Sequence, residues 1–187
     1  MKKGWIVGGV VLLVAVIAGM SLVGRYNTFV TANEQIDASW AQVENVLQRR
    51  ADLIPNLVAT VQGFAEQERE IFTEVANARS RLLGAGSPAE AAAANAGLTG
   101  ALGRLLAISE AYPQLRSNEN FIRLQDELAG SENRIAVERR RYNDAVRAYN
   151  TQILQFPNNL IAGMFNFSSR EYFEADEDAA DVPTVEF

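Results

Sequence analysis

FIRLQDELAGSENRIAVERRRYNDAVRAYNTQILQF, residues 121–156, decides the fold. Phe121, Leu124, Leu128, Ser131, Ile135, Glu138, Tyr142, Ala145, Tyr149, Gln152 and Phe156 recur at alternating steps of three and four. That spacing is a heptad, the period at which an α-helix keeps one stripe turned toward a partner in left-handed coiled-coil or bundle packing. A half-buried strand would place apolar residues at every second position, and no such alternation occurs. Ser131, Glu138 and Gln152 are the polar members of the stripe, and each needs a hydrogen-bonding partner if it is buried. For Glu138 the candidates are Arg134, Arg141 or, on a facing helix, Arg49 or Arg50. Such groups can fix register or oligomeric state, whereas a slightly rotated helix would leave them at a wet edge.

Three further stripes supply the missing partners. Tyr26, Phe29, Asn33, Ile36, Trp40, Val43 and Leu47 form the first. Ile54, Val58, Val61, Ala65, Glu68, Phe72, Val75, Arg79 and Leu82 form the second, with Glu68 and Arg79 as polar members. Leu98, Leu102, Leu105, Ile108, Tyr112 and Leu115 form the third. Four apolar stripes leave water only by facing one another, so the expected fold is all-α, an up-and-down antiparallel four-helix bundle. Its helices are expected at about 26–51, 53–83, 88–112 and 118–156, with a short one at 158–166.

The boundaries differ in how sharply they are written. Ser87-Pro88-Ala89-Glu90 is a capping box with proline at the first helical position, and Gly84 and Gly86 before it can close the preceding helix. Pro113 and Ser117-Asn118 mark a second break. At the first boundary Asp52 can cap a new helix with Pro55 in its first turn, or Pro55 can kink one long helix; a tight break near 51–54 is the preferred reading. Pro157 ends the last long helix.

Ahead of the stripes runs WIVGGVVLLVAVIAGMSLVG, residues 5–24, without a charge. Twenty helical residues rise about 30 Å, the thickness of a bilayer's hydrocarbon core. The run is longer than a signal peptide's apolar region and ends at a poor cleavage site, so it reads as an uncleaved single-pass anchor, residues 1–25. Lys2 and Lys3 before it outnumber Arg25 after it. The positive-inside rule then puts the N-terminus in the cytoplasm and the remainder outside it, on the periplasmic face of an inner membrane. Gly4 with Gly8, and Ala15 with Gly19, are small-xxx-small pairs that allow two membrane helices to approach closely; glycine is also simply common in such helices.

Composition narrows the chemistry. The 187 residues include no Cys and no His, which excludes disulfides, a thiol nucleophile, Ser-His triads and His- or Cys-ligated zinc. The net charge is −6, but seven acids and no base fall within residues 171–187. The first 170 residues therefore carry sixteen acids against seventeen bases, and the acidity is a tail, read as disordered from 174 onward. No basic surface suits nucleic acid, because Arg139-Arg140-Arg141 fans around a helix rather than forming a patch. Glu66, Glu70 and Glu74 are spaced for one helix face, yet with Arg69 beside them they read as a solvated face rather than a metal site. No catalytic, cofactor-binding or metal-binding residue is assigned.

What remains are contact surfaces. Gly97, Gly100 and Gly103 share one side of the third helix, where each costs about 1 kcal/mol relative to Ala, which favours a close helix–helix contact within or between subunits over a merely marginal helix in a chain rich in Ala and Gly. Leu160, Ile161, Met164 and Phe165 in LIAGMFNF (160–167) form a run too short to span a bilayer. It can cap the bundle, lie among lipid headgroups or meet a partner, packing on its own bundle being the plainest reading. Tyr26, Tyr142 and Tyr149 each precede an Asn, a pattern read as ordinary packing with the amide near the surface.

Several motifs together resemble the LemA family. They are Arg49-Arg50-Ala51-Asp52-Leu53-Ile54-Pro55-Asn56-Leu57-Val58, Tyr112-Pro113-x-Leu115 and Asn120-Phe121-x-x-Leu124-Gln125-x-Glu127-Leu128. Glu132-Asn133-Arg134-Ile135-Ala136, then Arg140-Arg141-Tyr142-Asn143 and Tyr149-Asn150, continue the pattern. Phe156-Pro157-x-Asn159-Leu160-Ile161-Ala162-Gly163-x-Phe165 and Tyr172-Phe173-Glu174 complete it. The resemblance spans residues 5 to about 175 and leaves out the tail from Asp176. It implies a single-pass bacterial membrane protein with a helical bundle and no established enzymatic activity, cofactor or catalytic residue. One branch of the family is associated with magnetosome membranes in magnetotactic bacteria. Family descriptions often place the N-terminus outside the cell, against the lysine count here. The reading that follows is a non-enzymatic membrane-anchored scaffold that self-associates, with the lipid bilayer, a second copy and a membrane protein as partners. The alternative is an adaptor or regulatory subunit of a membrane enzyme such as a protease.

Overall fold

A computed structural model describes residues 2–174, with the surroundings of residues 2–4 and 18 outside the description. The tail expected to be disordered falls almost wholly outside the described residues. Every regular element is helical: α1 (Lys2–Gln62), α2 (Arg69–Leu83), α3 (Pro88–Ala111), α4 (Pro113–Arg116), α5 (Glu119–Leu154) and α6 (Asn158–Met164). Two compact units divide the chain. The first holds the chain up to Ala38 with Asp144–Arg170, and the second holds Ser39–Asn143 with the stretch from Glu171.

The second unit buries the stripes the heptads define. Val43, Leu47, Ile54, Leu57 and Val61 of α1 are buried, as are Phe72, Val75, Ala78 and Leu82 of α2. Leu98, Leu102 and Leu105 of α3 and Phe121, Leu124, Leu128 and Ile135 of α5 complete the core. In the first unit Phe29, Ile36, Val146, Tyr149 and Ile153 are buried. Phe156 departs from the heptad reading: it lies past the end of α5 and is 80% exposed.

The break expected near 51–54 is not there. Helix α1 runs through Pro55 and stops at Gln62, and residues 63–68 turn the chain into α2. A proline inside a helix removes the N–H that would have bonded the carbonyl four residues back, here that of Ala51. Arg79 supplies the missing donor, its Nε lying 2.8 Å from the Ala51 carbonyl oxygen. A polar member of the second stripe thus satisfies the carbonyl that Pro55 orphans, and α1 has no need to end. The actual turn follows Gly63, where the Val61 carbonyl accepts from both Phe64 and Ala65 N–H at 3.0 Å.

The other boundaries fall where the capping residues sit. Ser87 Oγ accepts from the Glu90 N–H at 3.3 Å with Pro88 at the first helical position, and Glu90 Oε2 reaches back to the Gly86 N–H at 2.7 Å. Asn118 Oδ1 accepts from the Phe121 N–H at 3.1 Å and caps α5. After α6, Asn166 adopts a positive φ of 58° and the Phe167 N–H bonds the Ala162 carbonyl at 2.9 Å. That is a left-handed helix cap, a conformation asparagine tolerates better than most residues.

Candidate functional site

Among the described residues, three surfaces and two buried polar arrangements stand out. The first surface is the apolar start of α1. Its large side chains lie open, from Leu22 at 37% to Trp5 at 86% exposed, and the first buried side chain among the described residues is Phe29. Helix α3 is also long and apolar enough to cross a membrane, but Leu98, Leu102, Leu105 and Ile108 are taken up in the core of the second unit.

The second surface lies around α6. Among the residues singled out in the sequence, Ile161 is buried, whereas Leu160, Met164 and Phe165 are 59%, 69% and 46% exposed. Edge-on ring contacts hold this segment to α1: Phe165 lies 5.0 Å and Phe167 5.6 Å from Tyr26, and Phe167 lies 5.3 Å from Phe29. Such geometry suits aromatic quadrupoles and fixes a short helix that could not hold its position alone.

The third surface is the glycine side of α3. A Cβ added at Gly97, Gly100 or Gly103 would meet nothing within 4 Å. The close contact that these residues predict inside the chain is therefore absent among the described residues. Gly8 and Gly19 are equally open, and Ala15 is exposed; the surroundings of Gly4 are outside the description. Beside the glycine side, an open cleft between α2 and α3 is lined by Ala78, Arg81, Gly84, Ala93 and Gly97.

Sequence reasoning missed the buried polar lock at Arg50. This residue is 4% exposed, and its guanidinium meets Asn95 Oδ1 at 2.6 Å, Thr99 Oγ1 at 3.0 Å and Glu132 Oε2 at 2.7 Å. One planar fork thereby ties α1 to α3 and α5, a geometry that lysine's single ammonium cannot reproduce. Burial lowers the guanidinium's proton affinity, and the Glu132 carboxylate partly restores it. Of the four arginines within the expected reach of Glu138, it is Arg141 that pairs with it, at 2.8 Å along the same helix, while Arg49 is exposed. The signal that would have found the lock is Asn95, a polar residue three positions before Leu98 on the buried side of α3.

The tyrosine–asparagine pairs also do more than fill space. In the second unit, Asn143 Nδ2 donates to the Phe173 carbonyl at 3.3 Å, and its Oδ1 accepts from the Phe173 N–H at 2.9 Å. The Tyr142 hydroxyl donates to the Glu171 carbonyl at 2.8 Å. In the first unit Asn150 treats Arg170 in the same two-point way, at 2.9 and 2.8 Å. A primary amide offers one donor and one acceptor side by side, as a peptide group does, so each asparagine stands in for a neighbouring strand. Arg170 in turn bonds Asn33 Oδ1 at 3.0 Å and pairs with Asp37. Tyr149 beside it is buried, which raises its pKa, with Arg170 pulling the other way.

The expected row of glutamates is broken up. Glu66 lies in the turn before α2, Glu70 is exposed, and Glu74 pairs with Arg104 of α3. Among the described residues no group of three carboxylates converges as a cation site would require.

The model of the LemA family matches residues 39–187. The chain belongs to the LemA family. The match runs through the acidic tail, which the resemblance had left out, and begins at Ser39 rather than in the apolar segment. The LemA-family chain is 33% identical over 202 residues to magnetosome protein MamQ 2 of Paramagnetospirillum magneticum, covering 94% of this chain and 73% of that protein. Magnetosome protein MamQ 1 of the same organism matches equally. MamQ of Magnetospirillum gryphiswaldense is 31% identical over 210 residues, covering 95% of this chain and 77% of the relative. Arg50, Pro55, Arg79, Asn143 and Asn150 all fall inside the family match, as do the three glycines of α3. The lock, the proline bypass and the two clamps therefore belong to the family domain of this chain.

Proposed function

We propose that the chain is a non-enzymatic scaffold, held in the membrane by a single pass at residues 5–24, that self-associates and organises membrane or envelope proteins. Its domain beyond the anchor is read as an up-and-down antiparallel four-helix bundle. The observation that carries this reading is the apolar start of α1, which buries none of its large side chains and is long enough to cross a bilayer. Left in water, such a surface would drive aggregation, so a bilayer is its natural solvent. Membership of the LemA family supports it, as do relatives named for the magnetosome. The open glycine side of α3 supports self-association, because backbones approach most closely where no Cβ intervenes. The lysine count favours a cytoplasmic N-terminus and an extracytoplasmic domain.

Gentle solubilisation from native membranes, followed by mass measurement and electron microscopy, tests the scaffold. A large defined ring, cage or array is the expected result. A strictly monomeric particle over a wide concentration range would overturn self-association. The adaptor reading, with the acidic tail or residues 160–167 as its contact, predicts a small particle carrying a second polypeptide, whose identity would name the partner.

A further inference from the structure

We infer that α6 and the residues flanking it form a second, monotopic membrane contact, seated in the lipid interface where α1 leaves the bilayer. The inference rests on the reading of residues 5–24 as a membrane span. Its first observation is the outer face of α6: the helix turns Asn158, Ile161 and Ala162 inward and exposes Leu160 and Met164 at 59% and 69%. Leu160 and Met164 are four residues apart and so share one face. Leu154 at 69% and Phe156 at 80% extend the exposed apolar surface immediately before the helix. A helix that met only water on this side would be expected to carry polar side chains at positions 160 and 164.

The second observation fixes the occupant. Phe165 and Phe167 contact Tyr26, two residues beyond the end of the charge-free run, so α6 is held beside the point where that run ends. The third is charge. Residues 148–169 contain no acid and no base, and between residues 5 and 33 the only charge is Arg25. Seating this surface among headgroups therefore removes no carboxylate from water, and the neutral Gln155, Asn159, Asn166, Ser168 and Ser169 can meet phosphate and ester oxygens. Aromatic rings and a lone arginine at this depth are the side chains a bilayer interface favours. A soluble partner protein would also accept an apolar patch, but it would not need the patch to adjoin the membrane span.

The chain has no cysteine, so a single introduced cysteine carries a unique probe. Full-length Leu160→Cys, Met164→Cys, Leu13→Cys and Asp144→Cys are labelled with an environment-sensitive fluorophore. Each is reconstituted into phosphatidylcholine vesicles with or without brominated acyl chains. Asp144 is exposed and lies ten residues, about 15 Å along α5, before Leu154. Quenching at positions 160 and 164 at least threefold that at 144, with a blue-shifted emission, is the expected result. Quenching at 13 with none at 160 or 164 overturns the second contact and leaves the anchor standing. Absence of quenching at 13 removes the span and this inference with it. An interchain disulfide through unlabelled Met164→Cys, without lipid quenching of the labelled protein, gives the face to a second copy and overturns the proposal.

Discussion

Between Trp5 and Gly24, helix α1 leaves its large apolar side chains open, whereas between Val43 and Val61 the same helix buries Val43, Leu47, Ile54 and Leu57 and takes an arginine in with them. The first stretch is apolar all round and the second on one stripe only. An all-round apolar helix has no face for water and must be dissolved in something apolar, while a striped one folds against its neighbours. The difference teaches that solvent, not helix propensity, divides α1. In the first stretch only the Trp5 indole and the Ser21 hydroxyl are polar side-chain groups; in the second the buried Arg50 guanidinium meets Asn95, Thr99 and Glu132, and Arg79 serves the Ala51 carbonyl.

Charging the first stretch tests the comparison most severely. Leu13→Arg combined with Val14→Arg is expected to cost about 2.5–3.5 kcal/mol per charge at the centre of a membrane helix. The variant should lose flotation with liposomes, while Asn56→Arg, on the exposed side of the packed stretch, should float as the parent does. A doubly charged variant that still floats would erase the distinction between the two stretches.

Arg50→Ala strikes the second stretch. Removing the cation leaves Asn95 and Thr99 without their donor, and the expected loss is about 3–5 kcal/mol in urea unfolding of the detergent-solubilised chain. Arg50→Lys should recover little of it, because an ammonium donates from a single nitrogen and lacks the planar fork by which Nη1 meets Asn95 and Glu132 while Nη2 meets Thr99. Trp40, 5.3 Å from Tyr142 and 6.0 Å from Phe173, provides a fluorescent report of the packed state.

A finer test separates the proline from its compensation. Arg79→Met orphans the Ala51 carbonyl and should cost about 1–3 kcal/mol. Pro55→Ala returns the missing N–H to that carbonyl, so the double variant should be more stable than the single Arg79→Met change. Additive effects would show that Arg79 acts elsewhere, since only residues sharing a partner couple in such a cycle.

The smallest effect concerns Tyr149. Burial raises its pKa above the ordinary value of about 10, so the unfolded chain gives up the phenolic proton first. Stability from this group is intact below about pH 10 and declines as pH climbs through the folded value. Tyr149→Phe should flatten that alkaline decline in unfolding measurements, by a few tenths of a kcal/mol at most for one partly compensated group. An unchanged alkaline limb would mean that the hydroxyl is better hydrated than its burial indicates.

How much of this was legible can be read from particular residues. Phe121, Leu124, Leu128, Ile135 and Tyr142 were placed correctly by spacing alone, because a heptad specifies a face whatever it packs against. Ser87 and Asn118 were placed by local capping chemistry, which acts within four residues. Pro55 was misread because the rule that a proline ends a helix holds only while the orphaned carbonyl goes unserved, and its donor sits 24 residues further on at Arg79. Arg50 is legible as a member of a family motif and as one of four arginines that Glu138 could meet, of which Arg141 is the one it does; the partners of Arg50 itself are 45, 49 and 82 positions away. The glycines of α3 were read as a contact that could be internal, and their open surroundings remove the internal version.

The sequence by itself determined that this chain is helical, that its first apolar run is long enough for a bilayer, and which side of each long helix turns inward. Those properties follow from periodicity and length, which need no partner to be defined. Only the tertiary structure decided where α1 ends, which acceptors Arg50 serves, that Asn143 and Asn150 grip backbone rather than solvent, and that α6 turns Leu160 and Met164 outward. Each of these depends on groups far apart in the chain meeting within about 3 to 5 Å, and no local pattern encodes that distance.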